Sequence, residues 1–303
     1  MNAIQIQDVT KTFGGFTAVH NLSLSIPQGC LYGFIGPNGS GKTTTLRMVM
    51  NLLFPDSGMI EVLGQESSSA ARDQVGYLPE ERGLYKKMTV RNLLRYYGLL
   101  KGADRTQLNT AIPRWLERMG LGEWADKKIE SLSKGMSQKV QFISTVVSEP
   151  QLLILDEPFS GLDPVNAEEL KKAVLEIKAQ GTTIVFSTHD IATAETMCDR
   201  IGMIFKGEKV LDGTLDEIQS SYGQDTVRVR TAGGAKVLEG LPEIISFKDR
   251  GNFQELQLKG DAQDFLKKLL ERTQVSLFEV KKPSLQEIFI RIVKPNGNSH
   301  GLS

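Results

Sequence analysis

Residues 31–43 read Leu31-Tyr32-Gly33-Phe34-Ile35-Gly36-Pro37-Asn38-Gly39-Ser40-Gly41-Lys42-Thr43. The first five residues predict a short buried strand. The glycine-rich run after them matches G-x-x-x-x-G-K-[ST] and leads into a stretch with helical character. Glycine has no Cβ, so several backbone N–H groups can converge on phosphate oxygens. The following helix aims the positive end of its dipole at the same point. Lys42 is then expected to reach the β and γ phosphates, and the Thr43 hydroxyl to ligate Mg2+. Without the flanking strand and helix, the same letters would describe an ordinary turn capping a helix.

A phosphate loop of this kind needs a carboxylate to hold the metal. Leu152-Leu153-Ile154-Leu155-Asp156-Glu157 supplies one at the end of a second buried strand, where α/β sheets present ligands. Asp156 is expected to hold Mg2+, through water, and Glu157 to polarise the attacking water. A third buried run, Thr183 to Thr188, ends at His189, placed to hydrogen-bond the γ-phosphate or the water. Alone, a histidine at a strand end is more often structural. Together these elements imply a nucleoside triphosphatase built on a mostly parallel α/β core.

Around that core the texture changes twice. Upstream, Ile4, Ile6, Leu22, Leu24 and Ile26 alternate with polar residues, as half-buried strands of an antiparallel sheet do. Between about residues 85 and 146, Val90, Leu93, Leu94 and Tyr97, then Trp115, Leu116 and Met119, recur at helical spacing. This is a helical insertion. After residue 222 comes a small α+β pattern. Val227 and Val229, then Leu256 and Leu258, alternate; Phe265 to Leu270 forms a helical face behind an Asp261 N-cap; Leu277 to Val280 reads as a strand, and a closing helix follows Pro283. The expected organisation is a core over 1–222, an accessory domain over 223–294, and a frayed tail over 295–303.

Composition narrows the function. The chain has 303 residues, enough for two domains, with 36 basic and 36 acidic side chains. Zero net charge argues against polybasic binding of nucleic acid. The most apolar run is far shorter than the ~20 residues a membrane-spanning helix needs, and no export signal opens the chain. Two cysteines, Cys30 and Cys198, suit a reducing compartment, with a single bridge left open. They show no metal-site spacing.

The ordered series Gly36 to Thr43, Leu132-Ser133-Lys134-Gly135-Met136, Asp156-Glu157, Ser160-Gly161-Leu162-Asp163 and His189 resembles the ATP-binding-cassette (ABC) family over residues 1 to about 220. The resemblance implies a P-loop ABC ATPase core with an antiparallel β subdomain and a helical insertion. It implies ATP and Mg2+ as cofactors. ATP binding is expected of Gly36, Pro37, Asn38, Gly39, Ser40, Gly41, Lys42, Thr43 and Thr44, and catalysis of Lys42, Glu157 and His189. In this family two cassettes pair head to tail, so Ser133, Gly135 and Asp163 are expected to serve the nucleotide and the interface from across a dimer. Ser133 and Gly135 precede a helix expected from Ser137 onward, and its N-terminus suits an anion. Phe13 resembles the aromatic that stacks on adenine. Phe16 is a rival, and either residue also suits a core.

Two departures stand out. Glu80 occupies the place of the family's switch-loop glutamine; a carboxylate there can still ligate Mg2+. Lys134 and Met136 stand where glycine and glutamine are usual. Both variants, and the tail with Pro283-Ser284-Leu285-Gln286-Glu287-Ile288-Phe289, are similar to bacterial export-type cassettes of the sodium-extrusion and drug-efflux kind. The implied function is the ATPase subunit of a membrane exporter. It would act as a homodimer or heterodimer on a separate permease, at the cytoplasmic face and in indirect contact with the membrane. The rival readings are a soluble ATPase acting on DNA or ribosomes, and a nucleotide-binding module without turnover.

Overall fold

The computed structural model describes residues 1–66, 73–81, 83–222 and 226–293. The expected tail from residue 295 and Arg82 of the switch segment lie outside them. Contacts divide the chain into two units, Met1–Asp212 and Gly213–Ser303.

The first unit opens with β1 (Asn2–Phe13), β2 (Phe16–Pro27), β3 (Leu31–Ile35), α1 (Lys42–Val49), β4 (Ser57–Val62), β5 (Gln65–Glu66) and β6 (Val75–Leu78). The helical insertion follows as α2 (Val90–Leu100), α3 (Arg105–Arg118) and α4 (Lys134–Val146). The core resumes with β7 (Leu152–Asp156), α5 (Pro164–Ala179), β8 (Thr183–Thr188), α6 (Ile191–Met197), β9 (Arg200–Phe205) and β10 (Glu208–Gly213).

Six of these strands form one sheet in the order β10-β9-β3-β8-β7-β6. β3 pairs in parallel with β8 and β9, and β7 in parallel with β6 and β8. Every residue of β3, β7 and β8 is buried, as expected for central strands covered on both faces. The phosphate loop therefore leaves the C-terminal end of a central strand. The register sets Asp156 beside Ser187 at the same end.

The antiparallel sheet has the order β2-β1-β4-β5. Its inward residues Ile4, Ile6, Leu22, Leu24 and Ile26 share one core with Tyr32 and Phe34 of β3, Leu46 and Met48 of α1, and Ile154 and Val185. On the other face of β3, Gly33 packs against Ala194 and Cys198. Cys198 lies just past the end of α6 rather than within a helix. Cys30 and Cys198 are both free thiols, which closes the question of a bridge between them.

Among the strands that escaped the sequence reading, β6 and β9 are each interrupted by a glycine. In β6 a Cβ on Gly76 would sit 2.8 Å from the Thr145 carbonyl, and in β9 one on Gly202 would sit 2.0 Å from the Tyr32 hydroxyl. Both glycines mark close packing. In the insertion, α2 packs on α3 and α4, and Trp115 meets Phe142 edge to face at 6.1 Å between ring centres. Helix α4 starts at Lys134, not at Ser137. Ser133 caps it by accepting the Met136 N–H at 3.2 Å, and Gly135 in its first turn hides that start from propensity reasoning.

The second unit holds α7 (Leu215–Ser221), β11 (Thr226–Thr231), β12 (Ile244–Asp249), β13 (Gln254–Leu258), α8 (Ala262–Arg272), β14 (Val275–Lys281) and α9 (Leu285–Val293). Its antiparallel sheet has the order β12-β13-β11-β14. Val227, Val229, Leu256 and Leu258 pack on Phe265 and Leu269 of α8, whose first amides are capped by Asp261. The change of texture lies near residue 223, but the contact boundary falls earlier because α7 packs with α9.

Tyr32 is wholly buried and donates its hydroxyl to Asp212 at 3.1 Å, so its ring has nowhere to retreat from a new methyl group. Gly202→Ala is expected to cost about 1–3 kcal/mol through overpacking. A drop in the thermal unfolding midpoint, followed by circular dichroism, checks this.

Candidate nucleotide-binding site

The loop from Gly36 to Gly41 joins β3 to α1, and two of its glycines are required by space. A Cβ on Gly36 would lie 2.3 Å from the Ile204 carbonyl, and one on Gly41 would lie 2.4 Å from that of Ala18. Gly41 also has φ of 108°, a conformation that L side chains rarely adopt. It precedes α1 and carries no side chain to cap it, so the first amides of the helix stay open for an anion.

Lys42 is buried at the first position of α1. Its Nζ donates to the Gly36 carbonyl at 2.7 Å and the Pro37 carbonyl at 3.2 Å, and lies 3.9 Å from Glu157 Oε1. Burial pulls its pKa below the ordinary lysine value, while Glu157, Asp156 and Glu80 oppose that pull. The ammonium thus folds back into its own loop, held by carbonyls that a phosphate group can replace.

Asp156 ends β7 at 1% exposure. Its Oδ1 accepts hydrogen bonds from Ser187 Oγ and, at 3.2 Å, from Thr43 Oγ1. Oδ2 is buried and has no partner among the described residues. Glu157 has φ of 48°, in the left-handed region, which throws its side chain back toward the loop. There Oε1 lies 3.0 Å from Nδ1 of His189, whose side chain is half-exposed. The donor set of Thr43, Asp156 and Glu80 is all oxygen, which suits a hard divalent cation, and the orphaned Asp156 Oδ2 gives it an unused ligand. Among the described residues no cluster of three His, Cys, Asp or Glu side chains stands ready to hold a metal by itself.

Lys42, Thr43, Glu80 and Glu157 open onto a cleft of about 450 Å3 that Phe13 and Phe16 also line; Asp156 and His189 lie behind it, in contact with Thr43 and Glu157. Phe13 and Phe16 face each other across the β1–β2 hairpin and are 46% and 64% exposed. Neither is a core residue. Each offers an open ring for stacking beside the phosphate loop.

The remaining candidates gather elsewhere. The residues lining the cleft do not include Ser133, Gly135 or Asp163. Ser133 is exposed at the start of α4, and Asp163 caps α5 by accepting the Val165 and Asn166 amides, each at 3.1 Å. Those hydrogen bonds, the Asn166 amide first, hold the Asp163 carboxyl below its ordinary pKa. A Cβ on Gly135 would lie 3.4 Å from Asn166 Nδ2, so the two helix starts adjoin.

Residues 19–160 match the ABC transporter family, and residues 213–293 match the C-terminal domain of DrrA1-3-like ATP-binding proteins. The chain is 41% identical over 292 residues to the ABC transporter ATP-binding protein YhaQ of Bacillus subtilis (strain 168), covering 96% of this chain and 98% of that one. The chain belongs to the ABC transporter ATP-binding proteins. ABC proteins of this type bind and hydrolyse ATP and work with separate membrane permease subunits. A second ABC relative, Nod factor export ATP-binding protein I of Rhizobium sp. (strain N33), is 31% identical over 302 residues and covers 96% of each chain. A solved ABC structure, described as the ATP binding subunit of an ABC transporter, superposes with a TM-score of 0.69 at 31% identity, covering 73% of this chain and 93% of that one. The rival reading, an ABC ATPase acting on DNA or ribosomes, finds no support among these relatives. Among the described residues no helix is long and apolar enough to cross a membrane.

Sequence reasoning missed two polar residues of this ABC site. Ser187 touches both Asp156 and Glu157, and Gln138 on α4 donates to the Pro158 carbonyl at 2.7 Å. The signals were a serine two residues before His189 and a glutamine five after Ser133, and neither has meaning until the strands are aligned. Gly41→Ala would force both a backbone strain and a collision with Ala18, at a cost of about 1–3 kcal/mol. The expected outcome is a roughly 10- to 100-fold weaker affinity for a fluorescent ATP analogue, measured by titration, with unchanged far-ultraviolet circular dichroism.

Proposed function

We propose that this chain is the ATPase of an exporter and acts as a pair of cassettes that close head to tail on two Mg2+-ATP. The observation that carries the reading is the position of Ser133 and Gly135. They stand at the start of the 13-residue helix α4, with Ser133 exposed, and they do not line the cleft of their own chain. The Ser133 hydroxyl now caps α4 by accepting the Met136 N–H, and a phosphate brought by a second cassette would take that place at the helix N-terminus. Asp163 and the exposed Ser160 lie beside it in the loop after Glu157, in position to meet the partner.

Within each cleft the roles follow from the contacts. Lys42 exchanges its carbonyl partners for phosphate oxygens and offsets their charge. The amides from Asn38 to Thr44 cradle the phosphates, and Phe13 or Phe16 stacks on the base. Thr43, Asp156 and Glu80 would hold Mg2+, which supplies charge neutralisation of the phosphates. Glu157 accepts a proton from the attacking water, and His189 fixes its carboxylate through Oε1. Closure stores binding energy in contacts that disappear with hydrolysis, so product release reopens the pair.

Export is supported by the likeness to Nod factor export protein I and by the DrrA1-3-like second unit. Such a subunit sits at the cytoplasmic face of the membrane without entering it. Contact with a permease fits the cleft of about 350 Å3 between the switch segment and the insertion, lined by Met50, Leu52, Tyr77, Leu84 and Tyr97 among others. Tyr85, Tyr96 and Tyr97 cluster beside it with ring centres 5.5–6.4 Å apart, and Leu100 is 60% exposed. An apolar rim of that kind marks a protein contact.

Two measurements test the proposal. Glu157→Gln should hold two chains together with ATP in size-exclusion chromatography, and adding Ser133→Arg should return them to single chains. A Glu157→Gln protein that stays single with ATP would overturn the paired mechanism. Glu80→Gln removes one of three carboxylates facing a single buried lysine. Its ratio of ATP affinity with Mg2+ to that in chelator should fall by up to roughly fivefold, measured by equilibrium titration.

A further inference from the structure

Serine is costly to bury unless both its donor and its acceptor are used. Ser187 is wholly buried in β8 between Phe186 and Thr188, and both of its functions are engaged. Its hydroxyl donates to Asp156 Oδ1, and its oxygen accepts the Glu157 N–H at 3.1 Å. The parallel register makes this possible, since Asp156 and Ser187 are direct neighbours across β7 and β8.

Each bond constrains something that the reaction uses. With Thr43 on the same oxygen, the Asp156 carboxylate is held by two hydroxyls at Oδ1, which leaves Oδ2 without a partner among the described residues. The second bond anchors the backbone where Glu157 turns into left-handed φ and leaves the strand. Without an acceptor there, the Glu157 amide would be a buried orphan at the bend that aims its carboxylate at Lys42 and His189. His189 follows just past the end of β8, so that strand end supports the metal-side carboxylate and the proton acceptor together.

We propose that Ser187 is a positioning residue for ATP hydrolysis, its buried hydroxyl setting the orientation of Asp156 and the backbone of Glu157 at once. The inference rests on the roles assigned to Asp156 and Glu157 above. It extends them to a wholly buried side chain behind both residues.

The test uses the full chain with Ser187→Ala and Ser187→Thr. Mn2+ serves as the metal probe, titrated into the ADP complex and followed by electron paramagnetic resonance. Ser187→Ala is expected to lower kcat roughly 10- to 100-fold and to weaken Mn2+ binding by a similar factor, with KM for ATP within about threefold of the parent. Ser187→Thr keeps the hydroxyl and should recover most of both. A folded Ser187→Ala protein with kcat and Mn2+ affinity within about threefold of the parent overturns the proposal. So does a folded Ser187→Thr protein no better than Ser187→Ala. If Ser187→Ala does not fold, Ser187→Cys, with its weak donor, is read by the same criteria. Glu157→Gln separates the two levels: if it still hydrolyses ATP, the assignment of Glu157 fails whatever Ser187 does to Mn2+.

Discussion

Side-by-side strand ends in a parallel sheet are the constraint from which the rest of this molecule follows. β3, β7 and β8 run the same way, so a phosphate loop, a pair of carboxylates and a histidine, far apart in sequence, arrive at one rim. Burial then does the chemistry. Lys42 and Asp156 are kept from water, so each must find protein partners. Carbonyl oxygens occupy the lysine, hydroxyls occupy one oxygen of the aspartate, and the other oxygen has no partner among the described residues.

What the sequence disclosed was whatever lies within one continuous segment. Gly36 to Thr43 carries its chemistry in eight adjacent letters. Asp156 and Glu157 end an apolar run whose burial the letters announce. The alternation of Ile4, Ile6, Leu22, Leu24 and Ile26 reads directly as the antiparallel sheet. The Asp261 cap and the helix behind it were equally plain.

What it withheld depends on alignment between segments. Ser187 matters only because register places it against Asp156, 31 residues away. β6 and β9 were hidden by Gly76 and Gly202, which exist to let a helix backbone and a tyrosine ring come close. β12 was hidden by the opposite cause: it is an edge strand with no buried face, so its letters carry no alternation. The start of α4 was misplaced because Gly135, a poor helix former, sits in its first turn.

The bond from Gln138 to the Pro158 carbonyl has a wider meaning. It ties the second turn of α4 to the residue just after Glu157. In the paired arrangement proposed above, the nucleotide held at one chain's α4 would belong to the other chain. Movement of that helix would then move the segment that carries the first chain's own Glu157. Such a linkage would let each half report its occupancy to its neighbour without any long-range pathway through the sheets.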